Sequence, residues 1–239
     1  MSAHATKMRP QRTTLIFLLL WITYFMCYSL RKPLSIYKYY IESEFYLSQS
    51  ELGWIDVSLL LPYSMVQIFG ASLWDSYSPN FVIAFSLILA AIATQLLVAT
   101  HELYSFCILV ALSGAAQAPI WPACIKALSS QVHENSIGTY VGLLGATPYA
   151  GASFSSAFVT FLSDRFEWRH SMTPIFLICA VVSIFVMFII PSEIQQAKKQ
   201  VTASSTSADS KKSSNIIELF KINGVTAIAS SVFVLKFAR

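Results

Sequence analysis

The chain has 239 residues, of which 55% are hydrophobic and only 12% charged, with a net charge of +4. A soluble domain carries about 25% charged residues, so this composition excludes an ordinary soluble enzyme and describes a polytopic membrane protein. The basic residues are scattered at helix ends and in short links, which excludes a nucleic-acid surface.

Residues 1–12 are polar, with Lys7, Arg9 and Arg12. The apolar run behind them is too long for a signal-peptide core and lacks a small-residue cleavage pattern, so they read as a cytoplasmic tail feeding an uncleaved helix. That first span, 15–41, carries no charge from Leu15 to Leu30 and then presents Arg31 and Lys32. With the helix starting at Leu15, Arg31 lies roughly 24 Å along it, still within a hydrocarbon core about 30 Å thick. Pro33 either kinks the helix there or ends it. Tyr24, Tyr28 and Arg31 follow at i, i+4 and i+7, and Lys32 lies four beyond Tyr28, so phenols and cations share a face. Two readings stay open. The cations anchor the helix end by snorkelling, or they line a polar cavity that accepts an anion.

The link 47–51 offers Ser48 or Ser50 as a cap for the second span, 52–74, in which Tyr63 and Gln67 share a face. After a tight turn, 75–80, comes the most purely apolar span, 81–99, which reads as peripheral. The fourth span, 104–128, is interrupted by Pro119 and Pro122; Gln117 and Trp121 lie four apart in it, with Trp121 about 12 Å from the polar link at Ser129. A buried tryptophan beside a proline is also compatible with plain packing. The fifth span, 137–162, sets Gly138, Gly142, Ala146 and Ala150 at intervals of four, a face another helix can approach closely, with Gly145 and Gly151 adding to it. In the hairpin 163–171, Asp164, Arg165, Glu167 and Arg169 read as solvated loop residues, and the sixth span is 172–190.

Residues 193–221 read as a linker, since 195–215 are Ser, Lys, Ala and Thr without apolar periodicity. At 222–239 a seventh span begins, and its about 14 apolar positions fall short of the 17 to 25 a crossing needs. The chain therefore reads as a piece of a longer product or a truncated isoform. With the N terminus inside, Lys7, Arg9, Arg12, Lys126, Lys198, Lys199, Lys211, Lys212 and Lys221 lie on or near the cytoplasmic side, against Arg31, Lys32, Lys38, Arg165 and Arg169 opposite. The expected fold is all-α: residues 13–192 form the N-terminal six-helix bundle of a major facilitator, and 222–239 open helix seven of an incomplete C-terminal bundle. Cys27, Cys107, Cys124 and Cys179 fall inside spans, where disulfides are not expected. His4, His101, His133 and His170 sit at ends or links and form no metal or acid–base constellation. No nucleotide-binding or nucleophile motif is present, so neither a cofactor nor an enzyme activity is expected.

The string Tyr28-Ser29-Leu30-Arg31-Lys32-Pro33-Leu34-Ser35-Ile36-Tyr37-Lys38 resembles the first-helix signature of the organophosphate:phosphate antiporters. Among them it is most similar to the animal sugar phosphate exchangers of solute carrier family 37, relatives of the bacterial glycerol-3-phosphate and hexose-phosphate transporters. The run from Gly114 to Pro122, with Gln117 and Trp121-Pro122, resembles the family's fourth-helix pattern. The resemblance implies that Arg31 binds phosphate, with Lys32, Gln67, Gln117 and Trp121 around it; helical spacing adds Tyr24, Tyr28 and Tyr63 to the same substrate site. The resemblance assigns Asp75 to the gate, while the spacing of Gly138, Gly142 and Ala146, with Gly151, assigns those residues to packing. The chain also departs from the pattern. Asp75 is kept in the signature after the second span, but Ala71, Ser76 and Asn80 replace its glycine and its two cations. Gln67 falls where the bacterial glycerol-3-phosphate transporter has a second phosphate-binding lysine, and Pro148 where it has a histidine. Ile137 and Leu144 replace the family's arginine and tryptophan in the fifth helix. The implied function is exchange of a sugar phosphate, of glucose-6-phosphate or glycerol-3-phosphate type, for inorganic phosphate by alternating access, which breaks no covalent bond. The implied setting is the endoplasmic reticulum membrane, with the lipid bilayer and the missing C-terminal half-bundle as partners. Two other readings compete: a half-carrier that binds or regulates without transporting, and a facilitator for another organic anion.

Overall fold

The computed structural model describes residues 10–70, 73–74, 76–132 and 134–191, all within one compact all-helical unit. The first span is a long helix, α1 (Pro10–Ile36), followed after a single turn residue, Tyr37, by α2 (Lys38–Phe45). Pro33 does not end α1; the ladder resumes at once, with Tyr37 N–H donating to the Pro33 carbonyl at 2.9 Å. The second span is α3 (Gln49–Phe69), started by Ser48 in a capping box: the Ser48 hydroxyl accepts from Glu51 N–H at 3.4 Å, and the Glu51 carboxylate accepts from Ser48 N–H at 2.8 Å. The third is α4 (Pro79–Leu96) with a 3₁₀ turn to Ala99. The fourth is split at Ala118-Pro119 into α5 (Leu103–Gln117) and α6 (Ile120–Ser129), because Pro119 has no N–H to continue the ladder. The fifth is likewise two helices, α7 (Glu134–Gly145) and α8 (Thr147–Ser163), divided at Ala146 just before Pro148, and the sixth is α9 (Thr173–Ile189).

Among the described residues five stretches are long and apolar enough to cross a membrane: Gln11–Ile36, Gln49–Phe69, Pro79–Ala99, Leu103–Ser129 and His170–Ile189. The predicted fifth span is occupied by the two shorter helices α7 and α8. The predicted linker, the seventh span and Asp75 lie outside the described residues.

Packing corrects two expectations. The helix read as peripheral is a central one: Val82, Ile83, Leu87, Ala90, Ala91 and Ala93 of α4 are buried against α5, α6 and α9. Its alanine stripe permits close approach, which hydropathy alone does not register. The helix with most of its surface outward is instead α3, where Leu60, Leu61, Met65, Ile68 and Phe69 are exposed. Second, among the described residues the small-residue face of the fifth span meets no helix. Nothing lies within 4 Å of a Cβ built on Gly138, Gly142 or Gly145, and Ala146 is exposed. The close approaches are elsewhere. A Cβ on Gly151 of α8 would sit 2.6 Å from the Phe25 carbonyl oxygen of α1, and one on Gly114 of α5 would sit 2.2 Å from the Leu59 carbonyl oxygen of α3. Serines inside these spans donate across helices, Ser155 to the Ser29 carbonyl at 3.2 Å and Ser183 to the Ala84 carbonyl at 2.7 Å.

Arg169 is a third correction. It is buried rather than solvated, pairing with Glu44 of α2 at 2.7 Å and donating to the Leu97 and Val98 carbonyls at 2.6 and 3.0 Å. Trp168 Nε1 donates to the same carboxylate at 3.1 Å. The hairpin before α9 thereby ties the end of α2 to the end of α4. Beside it the buried Tyr37 hydroxyl bonds Ser171 and lies 3.3 Å from the Val159 carbonyl.

Candidate functional site

Four helices converge on Arg31. From α1 come Tyr24, Cys27, Tyr28 and Arg31; from α3, Tyr63 and Gln67; from the end of α5, Ser113 and Gln117; from α6, Trp121. Arg31 Nε donates to Gln117 Oε1 at 2.5 Å. The guanidinium carbon lies 4.4 Å from the centre of the Tyr63 ring and 5.1 Å from that of Tyr28, so the cation is held between two aromatic faces. Among the described residues no carboxylate lies within ion-pair distance of it. A guanidinium taken out of water normally has an acid against it, because an uncompensated buried charge costs several kcal/mol. Here neutral groups orient the cation and leave its charge for something else.

The remaining predicted site residues fall around this pair. Gln67 is exposed and donates to the Tyr63 hydroxyl at 2.8 Å, so it steadies one of the two rings and does not reach the guanidinium. Tyr24 is buried, edge-on to Tyr28 at 5.4 Å and against the half-buried Trp121 at 4.8 Å, forming an aromatic wall one layer from Arg31. Lys32 is half-buried and joins none of these hydrogen bonds; it points about 100° around the helix from Arg31. Gly151 lies behind the site, where it lets α8 close on α1 beside Tyr28. Gly138, Gly142 and Ala146 are not part of it, and Asp75 lies outside the described residues.

Three polar groups join the site that the sequence reading passed over. Gln117 Nε2 donates to Ser113 Oγ at 3.0 Å, Ser113 Oγ lies 3.1 Å from Thr94 Oγ1, and Cys27 Sγ donates to Gln117 Oε1 at 3.5 Å. Cys27 and Ser113 were within reach of pattern, each four residues before a site residue on the same helix. Thr94 was not, since its partner is on another helix. No three His, Cys, Asp or Glu side chains among the described residues converge in a metal-ligating group.

Comparison with known proteins agrees on the kind of molecule. The sequence model of the Major Facilitator Superfamily matches residues 16–238. An uncharacterised transporter of Buchnera aphidicola is 24% identical over 148 residues, 62% of this chain and 36% of the relative. A D-galactonate transporter of Escherichia coli is 22% identical over 159 residues, 66% of this chain and 37% of the relative. A protein of Oryza sativa described as "Probable anion transporter 4, chloroplastic" is 29% identical over 161 residues, 66% of this chain and 27% of the relative. The chain thus spans 27% to 37% of the length of these curated relatives. In three dimensions it is similar to the inward-facing, unoccupied crystal structure of a bacterial homologue of the human lysosomal transporter Spinster. The TM-score is 0.65 at 14% identity, over 77% of this chain and 44% of that one, a likeness of fold alone.

Proposed function

Since the chain belongs to the Major Facilitator Superfamily, we propose that it forms the anion-binding half of an antiporter that exchanges a sugar phosphate for inorganic phosphate by alternating access. The observation that carries this reading is Arg31, a half-buried guanidinium held by a neutral amide and two tyrosine rings, with no carboxylate against it among the described residues. A planar fork set in that way meets two oxygens of a phosphoryl group at once, through charge-assisted hydrogen bonds. The aromatic wall of Tyr24, Tyr28 and Trp121 offers apolar faces for the sugar carbons. Anion-named relatives support the class of substrate, and the motif around Arg31 supports phosphate within that class. A rocking motion requires the second half-bundle, which the C-terminal part of the family fold supplies. We place the carrier in the endoplasmic reticulum membrane with its N terminus in the cytoplasm, on the family resemblance and on the excess of basic residues at that side.

A sugar carboxylate is the second reading. Its specific support is Gln67, an amide where a second cation would otherwise help neutralise a dianion, together with the D-galactonate transporter among the relatives. One experiment separates the two. Vesicles carrying the full-length protein and loaded with phosphate are given labelled glucose-6-phosphate or labelled D-galactonate. Uptake of the sugar phosphate that rises with internal phosphate and is inhibited by external phosphate is expected. Uptake of galactonate alone, indifferent to phosphate on either side, refutes the exchange reading.

A further inference from the structure

Resting on the anion-site reading above, we infer that Gln117 is the positioning residue of Arg31, an acceptor kept uncharged so that the guanidinium is oriented without being neutralised. Both hydroxyls reach the Ala90 carbonyl, Thr94 at 2.9 Å and Ser113 at 3.4 Å, and lie 3.1 Å from each other, so whichever of them donates to the other, their hydrogens are spent on that carbonyl and on each other. Ser113 Oγ is then free to accept from Gln117 Nε2 at 3.0 Å, which turns Gln117 Oε1 toward Arg31 Nε and Cys27 Sγ. Donors therefore run from Arg31 through Gln117 to the Ser113 and Thr94 hydroxyls, which end on the Ala90 carbonyl of α4, and each bond polarises the next. A flipped amide would set a donor against Arg31 Nε, which can only donate. Gln117, Ser113 and Thr94 are all buried, so none of these groups has water to fall back on. The relay fixes the guanidinium plane through Nε, leaving the two terminal nitrogens as the part of the fork that meets an anion.

An amide and a carboxylate have the same shape, and this makes the inference testable. In Gln117→Glu the carboxylate still accepts from Arg31 Nε, and Ser113 can rotate its hydroxyl to donate to the other oxygen. The bundle is expected to fold, but the guanidinium is now paired and the site has lost its net charge. A carboxylate this close weakens anion binding by its charge, so the readout that a merely packing residue would not move is the order of the Arg31 Nε–H. The measurement is binding of inorganic phosphate to purified full-length carrier by titration calorimetry, alongside the Arg31 side-chain Nε–H resonance in selectively labelled protein. Gln117→Glu should weaken phosphate binding at least about tenfold with thermal stability retained. Gln117→Leu should abolish the protected Nε–H signal. Phosphate binding by Gln117→Glu equal to that of the wild type overturns the inference. Absence of phosphate binding by the wild type would instead refute the proposed substrate; the resonance then decides alone, and its persistence in Gln117→Leu overturns the positioning role.

Discussion

Replacing Arg31 with lysine keeps the charge and removes the fork, and it is the change that separates an anion ligand from a helix-end anchor. Lysine has no counterpart of Nε, so the bond to Gln117 is lost and the buried amide oxygen keeps only Cys27 as a donor. A hydrogen bond from a charged donor contributes about 1.5–3 kcal/mol. The cation between Tyr63 and Tyr28 contributes roughly 0.5–2 kcal/mol more, part of which an ammonium retains. Bidentate contact with a phosphoryl group cannot be rebuilt on a single ammonium. A net loss of about 2–3 kcal/mol in the bound complex corresponds to roughly 30- to 150-fold in affinity. The assay is sugar-phosphate uptake into phosphate-loaded vesicles, with the full-length carrier and rates normalised to inserted protein. Arg31→Lys should insert normally and lose most exchange, while Lys32→Arg should be milder, since Lys32 joins none of the site's hydrogen bonds. An anchor needs only positive charge on a long stem. Near-normal exchange by Arg31→Lys would therefore refute the ligand role and leave Arg31 as an anchor.

Gly151→Leu should lower the thermal stability of the detergent-solubilised carrier, by about 1–3 kcal/mol or more, because its Cβ alone meets the Phe25 carbonyl oxygen at 2.6 Å; Gly142→Leu, with open space above it, should not. The reverse ranking in a melting experiment would show that the fifth span is oriented differently. Glu44→Gln should destabilise by about 1–3 kcal/mol, discounted for the partial exposure of Glu44, since it leaves Arg169 buried without its counter-charge; an unchanged melting temperature would refute the clamp. Protease added outside sealed microsomes should cut both the 1–12 tail and the 195–215 linker, and protection of either would overturn the assigned topology.

The order of the helices was legible because hydropathy is a property of composition over about 20 residues, and the five stretches long and apolar enough to cross a membrane begin and end within a few residues of predicted spans. Breaks inside spans were half legible. Pro119 divides the fourth as its missing N–H requires, whereas Pro33, of the same chemistry, leaves α1 running on to Ile36 because the i→i−4 ladder resumes at Tyr37. Which side of a helix is covered was not legible from small residues alone. Gly138, Gly142 and Ala146 have the spacing of a contact face, but α7 is only lightly packed and turns that face outward. Arg169 was misread for the opposite reason. Its local sequence is that of a solvated turn, and its partners, Glu44 and the carbonyls of Leu97 and Val98, are 71 to 125 positions away in the chain. At the candidate site the residues on one helix face were readable from i, i+4 spacing, while the pairing of Arg31 with Gln117, 86 positions apart, was not.

That pairing changes what the missing cation means. Where Gln67 stands, a lysine would bring a second charge toward the same cavity, and the two cations would need an anion or acid between them at all times. With Gln67 bound to Tyr63 and Gln117 bound to Arg31, the site carries one guanidinium among neutral groups of the described residues. An exchanger has to pass through its empty form, or through a form holding the lighter phosphate, before it reorients. On the proposed exchange, one cation would supply only part of the charge that a sugar phosphate carries, and the rest would have to come from the other half-bundle or from Lys32, half-buried one residue on. Adding a cation at this position therefore distinguishes the substrates: Gln67→Lys should tighten binding of glucose-6-phosphate more than that of D-galactonate, measured by competition in the same vesicles. Equal effects on both would show that position 67 does not face the bound anion and that the dianion's second charge is met elsewhere.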